Sequence, residues 1–357
     1  MKISQPTGFH GIRAAFAVAF GLIPTLASMV ASPLASAFEG ERFYHKDWLL
    51  ACDNTGTCRA AGYSAEGNRN AVALMFTRQA GPATDISAKV FLGDFSELEP
   101  WPTEINLYID GQELGPVAGE LLSSVQVQAL LAVMTRDARI EIGDGKANWL
   151  LSGSGASAVF RKMDEYQGRQ GTPFAVVAKG NKPESSVKAP QPLPKIINKA
   201  NKGELRPVPK DSAQYNELVS ALRNSIKDGE NIADVECQQL FAEGPDIATV
   251  NIGQGYTLIE ASCWLAAYNY GSGYWLLADG DKQPRPLPVS GNDYADGIIS
   301  AAHKGRGIGD CWSFESWVFD GTQMVKAGIS DTGMCRGIAA GGIDPMPTYV
   351  SEVISNP

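Results

Sequence analysis

The run Gly305-Arg306-Gly307-Ile308-Gly309-Asp310-Cys311-Trp312, continued by Trp317-Val318-Phe319-Asp320-Gly321 and closed by Cys335-Arg336, decides how the chain folds. Two cysteines bracket an aromatic, β-branched segment that Gly and Asp punctuate at turn positions, and such a segment forms strands rather than helix. It therefore predicts β-structure pinned by a disulfide, not an active site. The Gly305-x-Gly-x-Gly309 spacing would cradle a phosphate only if a helix N-terminus followed it. Asp310-Cys311-Trp312 and more aromatic residues follow instead, so the glycines are expected to make a turn with positive φ angles. Lys304, Arg306 and Asp310 form the densest charged group beside aromatic residues in the C-terminal part of the chain. With Trp312 and Trp317 they make the candidate binding site.

Working outward to the N-terminus, Lys2 and Arg13 precede an apolar run from Ala14 to about Val30, and Ala35-Ser36-Ala37 follows. A charged region, a short apolar core and a small-x-small site are the layout of a secretory signal peptide, here spanning 1–37. Pro24 and Pro33 interrupt the run, which disfavours a membrane anchor, and no cysteine stands at the cleavage site to carry a lipid. No later segment approaches the roughly 18 apolar residues a span requires. The expected location is the bacterial periplasm or the medium, with no transmembrane anchor after cleavage.

The formal charge of the chain is −9, and loss of Lys2 and Arg13 takes it to −11. This acidic balance argues against nucleic acid, and against anionic membrane surfaces, as general partners. Cys52, Cys58, Cys237, Cys263, Cys311 and Cys335 all lie beyond the signal region. An even cysteine count in an exported chain reads as disulfides. The spacings leave the connectivity open, with three sequential pairs the simplest arrangement. No pair has the spacing of a zinc knuckle and there is no Cys-x-x-Cys, so neither a metal nor a redox motif is present.

The expected fold class is α+β, mainly antiparallel, with two β-rich domains, the first sandwich-like, each carrying one or two covering helices. Residues 38–178 form the first domain. Strands are predicted at Lys46–Cys52, Cys58–Tyr63, Asn70–Arg78, Ile86–Phe91, Glu104–Ile109 and Arg139–Ile142, with Asp110-Gly111 as a tight turn. Helices are predicted over Ser123–Thr135 and Ser154–Gln167, stopped at Gly168, and Thr172–Val177 is read as a closing strand. Residues 179–211 are rich in Pro and Lys, with eight basic and three acidic residues, and read as a semi-extended linker. The second domain, 212–357, opens with a helix over Ser212–Lys227, ended by Asp228-Gly229. Its strands are predicted at Ala248–Ile252, Tyr256–Cys263, Ala266–Tyr270, Gly273–Ala278 and Tyr349–Val353.

Side chains for catalysis are scarce. Only His45 and His303 remain after the signal region, which leaves very little material for a histidine-based metal cluster or a hydrolytic triad. Gly153-Ser154-Gly155 lacks the flanking pattern of a nucleophile elbow, and Ser185-Ser186-Val187-Lys188 lies in the linker. Asp279 with Asp281, and Asn292-Asp293 with Asp296-Gly297, do not complete a calcium loop. Glu97, Glu99 and Glu104 around Trp101 leave a carbohydrate-cleaving carboxylate pair as an alternative.

Several stretches together resemble an exported bacterial family, domain of unknown function 1176. They are Asp47-Trp48-Leu49-Leu50-Ala51-Cys52 through Cys58-Arg59, Gln167-Gly168-Arg169-Gln170-Gly171-Thr172-Pro173, and Cys263-Trp264-Leu265-Ala266-Ala267-Tyr268-Asn269. Lys304 to Cys311 and Cys335-Arg336 complete the set. The resemblance implies an exported protein with six recurring cysteines and no established activity. The first domain is also similar to invasion-associated locus B proteins through its Trp-x-x-x-Cys opening and helix pair, which implies a β-sandwich. The expected function is a non-enzymatic binding protein of the cell envelope, with an unknown envelope protein or glycan as partner and no cofactor. An envelope glycan hydrolase and an inhibitor of lysozyme-type enzymes are the alternatives.

Overall fold

A computed structural model describes residues 38–93, 104–144, 148–227, 237–338 and 340–355. The predicted signal region 1–37, the Glu97, Glu99 and Trp101 cluster and the predicted helix stop at Asp228-Gly229 lie outside the described residues. The fold is mainly antiparallel β with three α-helices among the described residues.

The first sheet is a meander of five antiparallel strands: β1 (Glu41–His45), β2 (Trp48–Cys52), β3 (Cys58–Tyr63), β4 (Val72–Arg78) and β5 (Ile86–Leu92). Cys52 and Cys58 are direct register partners and are bonded across the β2–β3 hairpin, their Cα atoms 4.0 Å apart. Asp53 closes that turn by accepting hydrogen bonds from the Thr55 amide (2.9 Å) and hydroxyl (2.6 Å). A second sheet has the order β7-β6-β8-β9, from β6 (Asn106–Ile109), β7 (Gln112–Pro116), β8 (Ile140–Gly143) and β9 (Asn148–Leu151). Asp110 and Gly111 both have positive φ, the geometry a two-residue hairpin turn demands.

Between these strands lie α1 (Ser124–Val133), which Ser123 and Gln126 cap reciprocally, and α2 (Ala156–Tyr166), which Gly168 ends at φ 73°. Strand residues alternate faces. Trp48, Leu50, Leu74 and Phe76 point into a core shared with Leu130, Ile142, Val159 and Phe160. The opposite face, with Leu49, Ala61, Tyr63 and Met75, packs against Ile338, Ile343 and Met346 near the C-terminus. Both faces are covered, which explains why β2 is apolar throughout instead of alternating.

The predicted closing strand over Thr172–Val177 does not form. The segment turns tightly and donates the Val176 and Val177 amides to the buried Asp164 carboxylate, at 2.8 and 3.0 Å. Asp164 also faces Arg78 at 3.7 Å, and its carboxyl is pushed up by burial against the pull of those amides. Arg169, from the Gln167–Pro173 motif, is fully buried and donates from Nε to Gln167 at 3.0 Å. Polar anchoring holds this stretch, so no sheet edge is needed.

Within 179–211 lie β10 (Lys195–Asn198) and β11 (Arg206–Pro207). Next come α3 (Ala213–Lys227) and the strands β12 (Ile247–Gly253), β13 (Tyr256–Leu265), β14 (Tyr270–Ala278) and β15 (Arg285–Gly291). β11 to β15 pair in order as an antiparallel sheet. One face packs on α3 through Tyr215, Leu218 and Leu222 beside the Cys237–Cys263 disulfide. The other packs on a four-stranded sheet of β16 (Asp293–Ala295), β17 (Ile298–Lys304), β18 (Trp312–Phe319) and β19 (Met324–Asp331). The last strand, β20 (Glu352–Ser355), pairs in parallel with β10.

One prediction is overturned with consequences for the site. Ala266–Tyr270 is not a strand of its own. β13 runs on to Leu265, β14 starts at Tyr270, and the residues between are the hairpin turn, closed by the Ala266 amide on the Asn269 carbonyl at 2.7 Å.

Candidate functional site

The loop between β17 and β18 carries Arg306 and Asp310, with Lys304 as the last residue of β17 and Trp312 as the first of β18, and its Cys311 is half of the third disulfide. Gly305 is required there by close approach, since a Cβ would sit 2.5 Å from the Cys311 sulfur and 2.8 Å from that of Cys335. Of the three glycines, Gly309 is the one with positive φ, at 72°. Cys311 and Cys335 are bonded, so all six cysteines form sequential pairs. The Asp310 carboxylate lies beside those two sulfurs. As a disulfide they lack the thiolate character a metal ligand needs.

Arg306 forks onto Asp310, with Nε to Oδ1 at 2.7 Å and Nη2 against Oδ2. The buried Asp310 also accepts the Gly337 amide at 2.7 Å. Burial alone would raise its carboxyl, but Arg306 and the Gly337 amide hold it below the usual carboxylate range. Lys304 lays its ammonium 5.3 Å from the Trp312 ring centroid. Trp312 donates from Nε1 to the Gly309 carbonyl at 3.0 Å and stacks on Phe314. Lys304, Arg306, Asp310 and Trp312 are thus one group. Trp317 stands apart: it is 7% exposed, in the core between the two C-terminal sheets.

Against this loop sits the β13–β14 hairpin. The Asn269 side chain clasps the Lys304 backbone in both directions, donating to its carbonyl and accepting its amide, each at 2.9 Å. The His303 ring is 3.3 Å from the Tyr270 carbonyl and 5.3 Å from the Trp264 ring. A Cβ on Gly307 would lie 3.8 Å from the Tyr268 ring. The two loops therefore present one surface. On it Leu265 is 70% exposed, Ile308 56%, Tyr270 54% and Tyr268 47%, with Ala266 and Ala267 exposed between them. The aromatic crowding from Trp264 to Trp275 was legible in the sequence. The exposure of its first half was not, because Ala266–Tyr270 carries strand-like composition.

Elsewhere, His45 and Ser154 line a groove of about 760 Å³ with Arg136, Arg161 and Lys162. Among the described residues no hydrogen bond joins the His45 ring to a serine hydroxyl. A groove of about 500 Å³ lies under α1 beside Arg78, one of about 710 Å³ lies between β5 and 338–345, and another of about 450 Å³ lies along β18 and β19.

A family profile described as protein of unknown function (DUF1176) matches residues 42–351. The chain belongs to this family. It is similar to the uncharacterized protein YpfG of Escherichia coli (strain K12), with 27% identity over 338 residues, covering 85% of this chain and 89% of that protein. No solved structure matches significantly. Several of the family stretches meet in space: Arg336 donates to Asp47, and Asn269 clasps the Lys304 backbone.

Proposed function

We propose that the protein is exported to the periplasm and works there as a non-enzymatic binding protein of the cell envelope. The observation that carries this reading is the exposed apolar surface formed by Leu265, Tyr268, Tyr270 and Ile308 beside the Lys304–Trp312 pair. Contiguous exposed apolar residues rimmed by polar ones mark interaction sites in soluble folds. Its rigidity supports the same reading: the Asn269 clasp and the Cys311–Cys335 disulfide fix both loops before any partner arrives, which lowers the ordering cost of binding. Three disulfides fit an oxidising compartment. Among the described residues no helix is long and apolar enough to cross a membrane. In this reading the domain 212–357 carries the site, and the domain 38–178 with the linker 179–211 is its base.

The test is capture from an envelope extract by the immobilised, oxidised protein. A saturable partner should be retained by the wild type and lost with Tyr268→Ser or Arg306→Ala, while Val125→Ser on the remote helix α1 behaves as wild type. Retention that ignores the tip substitutions, or no retention at all, would count against the reading.

A further inference from the structure

The occupant of this surface can be narrowed, on the premise that the tip is the binding site. We infer that it contacts a lipid layer: Leu265, Tyr268, Tyr270 and Ile308 enter the interfacial region of an uncharged phospholipid surface, with Lys304 and Arg306 at the depth of the headgroups. The hairpin turn from Leu265 to Tyr268 is exposed throughout and contains no charge and no side-chain amide. The next residue, Asn269, spends its amide on the Lys304 backbone. A glycan site needs convergent, unspent polar groups around its aromatic rings, and the turn offers methyl groups instead.

Charge complementarity sets the kind of lipid. Interfacial association scales with the apolar area buried, aided by cations that reach phosphate oxygens, and tyrosine suits the boundary because its ring is apolar and its tip polar. Lys304, whose backbone Asn269 clasps, and the 44%-exposed Arg306, next to the Gly307 that faces the Tyr268 ring, adjoin the apolar turn. Asp310 is occupied by Arg306 and Gly337, but Glu66 remains exposed close enough to act on Arg306. With a formal charge of −11 once Lys2 and Arg13 are lost, the body of the protein is repelled by a strongly anionic surface. A zwitterionic surface supplies phosphates for the two cations without that repulsion.

The experiment is flotation of the oxidised protein with phosphatidylcholine vesicles. The wild type should float with them, and high salt should leave most of the binding in place. The double variant Leu265→Ser/Ile308→Ser should lose about tenfold or more of its partitioning, the scale expected for two apolar side chains. Its thermal unfolding should match the wild type, and Val125→Ser, an equally exposed apolar residue on α1, should float normally. No flotation, equal flotation of the double variant, or binding seen only with anionic vesicles and abolished by salt would overturn the inference. If flotation fails while tip-dependent capture of a protein or glycan persists, the lipid assignment falls and the binding reading stands. If both fail, both fall.

Discussion

The Arg336 guanidinium lies 3.1 Å from the Asp47 carboxylate, across 289 positions of sequence. Asp47 begins at the turn into β2, and its second oxygen accepts the Ser152 hydroxyl at 2.6 Å. Arg336 follows the bonded Cys335. The pair thus ties the first sheet to the disulfide-bound loop of the C-terminal half. Both side chains are mostly shielded, 14% and 18% exposed, so removing one partner strands the other in poor solvation. Arg336→Ala is expected to cost about 2–3 kcal/mol, at or just below the lower end of the range for breaking a fully buried pair. Urea unfolding followed by tryptophan fluorescence measures it. A change under about 0.5 kcal/mol would class the pair as an ordinary surface contact.

Asn269 predicts a local effect. Its amide makes two hydrogen bonds to one backbone unit at Lys304. Asn269→Ala should cost about 1–2 kcal/mol, since each lost bond is worth roughly 1 kcal/mol. Hydrogen exchange should quicken at 265–270 and 303–305 and remain unchanged in β2 to β4.

The disulfides should rank by loop length. Cys237–Cys263 and Cys311–Cys335 span 26 and 24 positions, whereas Cys52–Cys58 spans 6. The chain-entropy relation gives about 3.5 kcal/mol for either long loop and about 2.3 kcal/mol for the short one. Paired Cys→Ser variants, compared by denaturant midpoint, should reproduce that order.

Asp310 predicts a pH dependence of definite sign. Its carboxyl sits below the ordinary value in the folded state, through Arg306 and the Gly337 amide acting against burial. The stability it contributes is therefore complete above the ordinary aspartate value of 3.8 and is lost as pH falls through the lower folded value. Asp310→Asn should be about 1–2 kcal/mol less stable than wild type at neutral pH, the scale of a lost charge-assisted bond. The gap should close on acidification below pH 3.8. A gap that widens on acidification would reverse the assignment.

The elements legible in the sequence were those whose signals are local. Val127, Leu130, Leu131 and Met134 at helical spacing announced α1, Gly168 the end of α2, Asp110-Gly111 a hairpin, and Cys52 and Cys58 a bonded turn, each through chemistry within a few residues. Short strands such as β7 and β9 carry four or five residues with little apolar alternation, so periodicity could not find them. Thr172–Val177 looked like a strand because β-branched composition does not reveal that a buried Asp164 will claim its amides. The site was half legible. Lys304, Arg306, Asp310 and Trp312 lie together in sequence and in space, but Trp317 faces a core. Leu265 and Tyr268 join the group through a long-range clasp by Asn269 that no spacing encodes.

The C-terminal cover on the first sheet bears on how the molecule is made. Leu49, Ala61, Tyr63 and Met75 are among the earliest residues of the folded chain to be synthesised, whereas Ile338, Ile343 and Met346 that shield them are among the last. Over most of its synthesis, an N-terminal half that has already formed its hairpins would show a bare greasy face. Such a face attracts other chains until its own tail arrives. Folding of this protein should thus depend on a holding chaperone, and truncations that remove only the final twenty or so residues should be cleared or precipitate instead of accumulating as a smaller folded product.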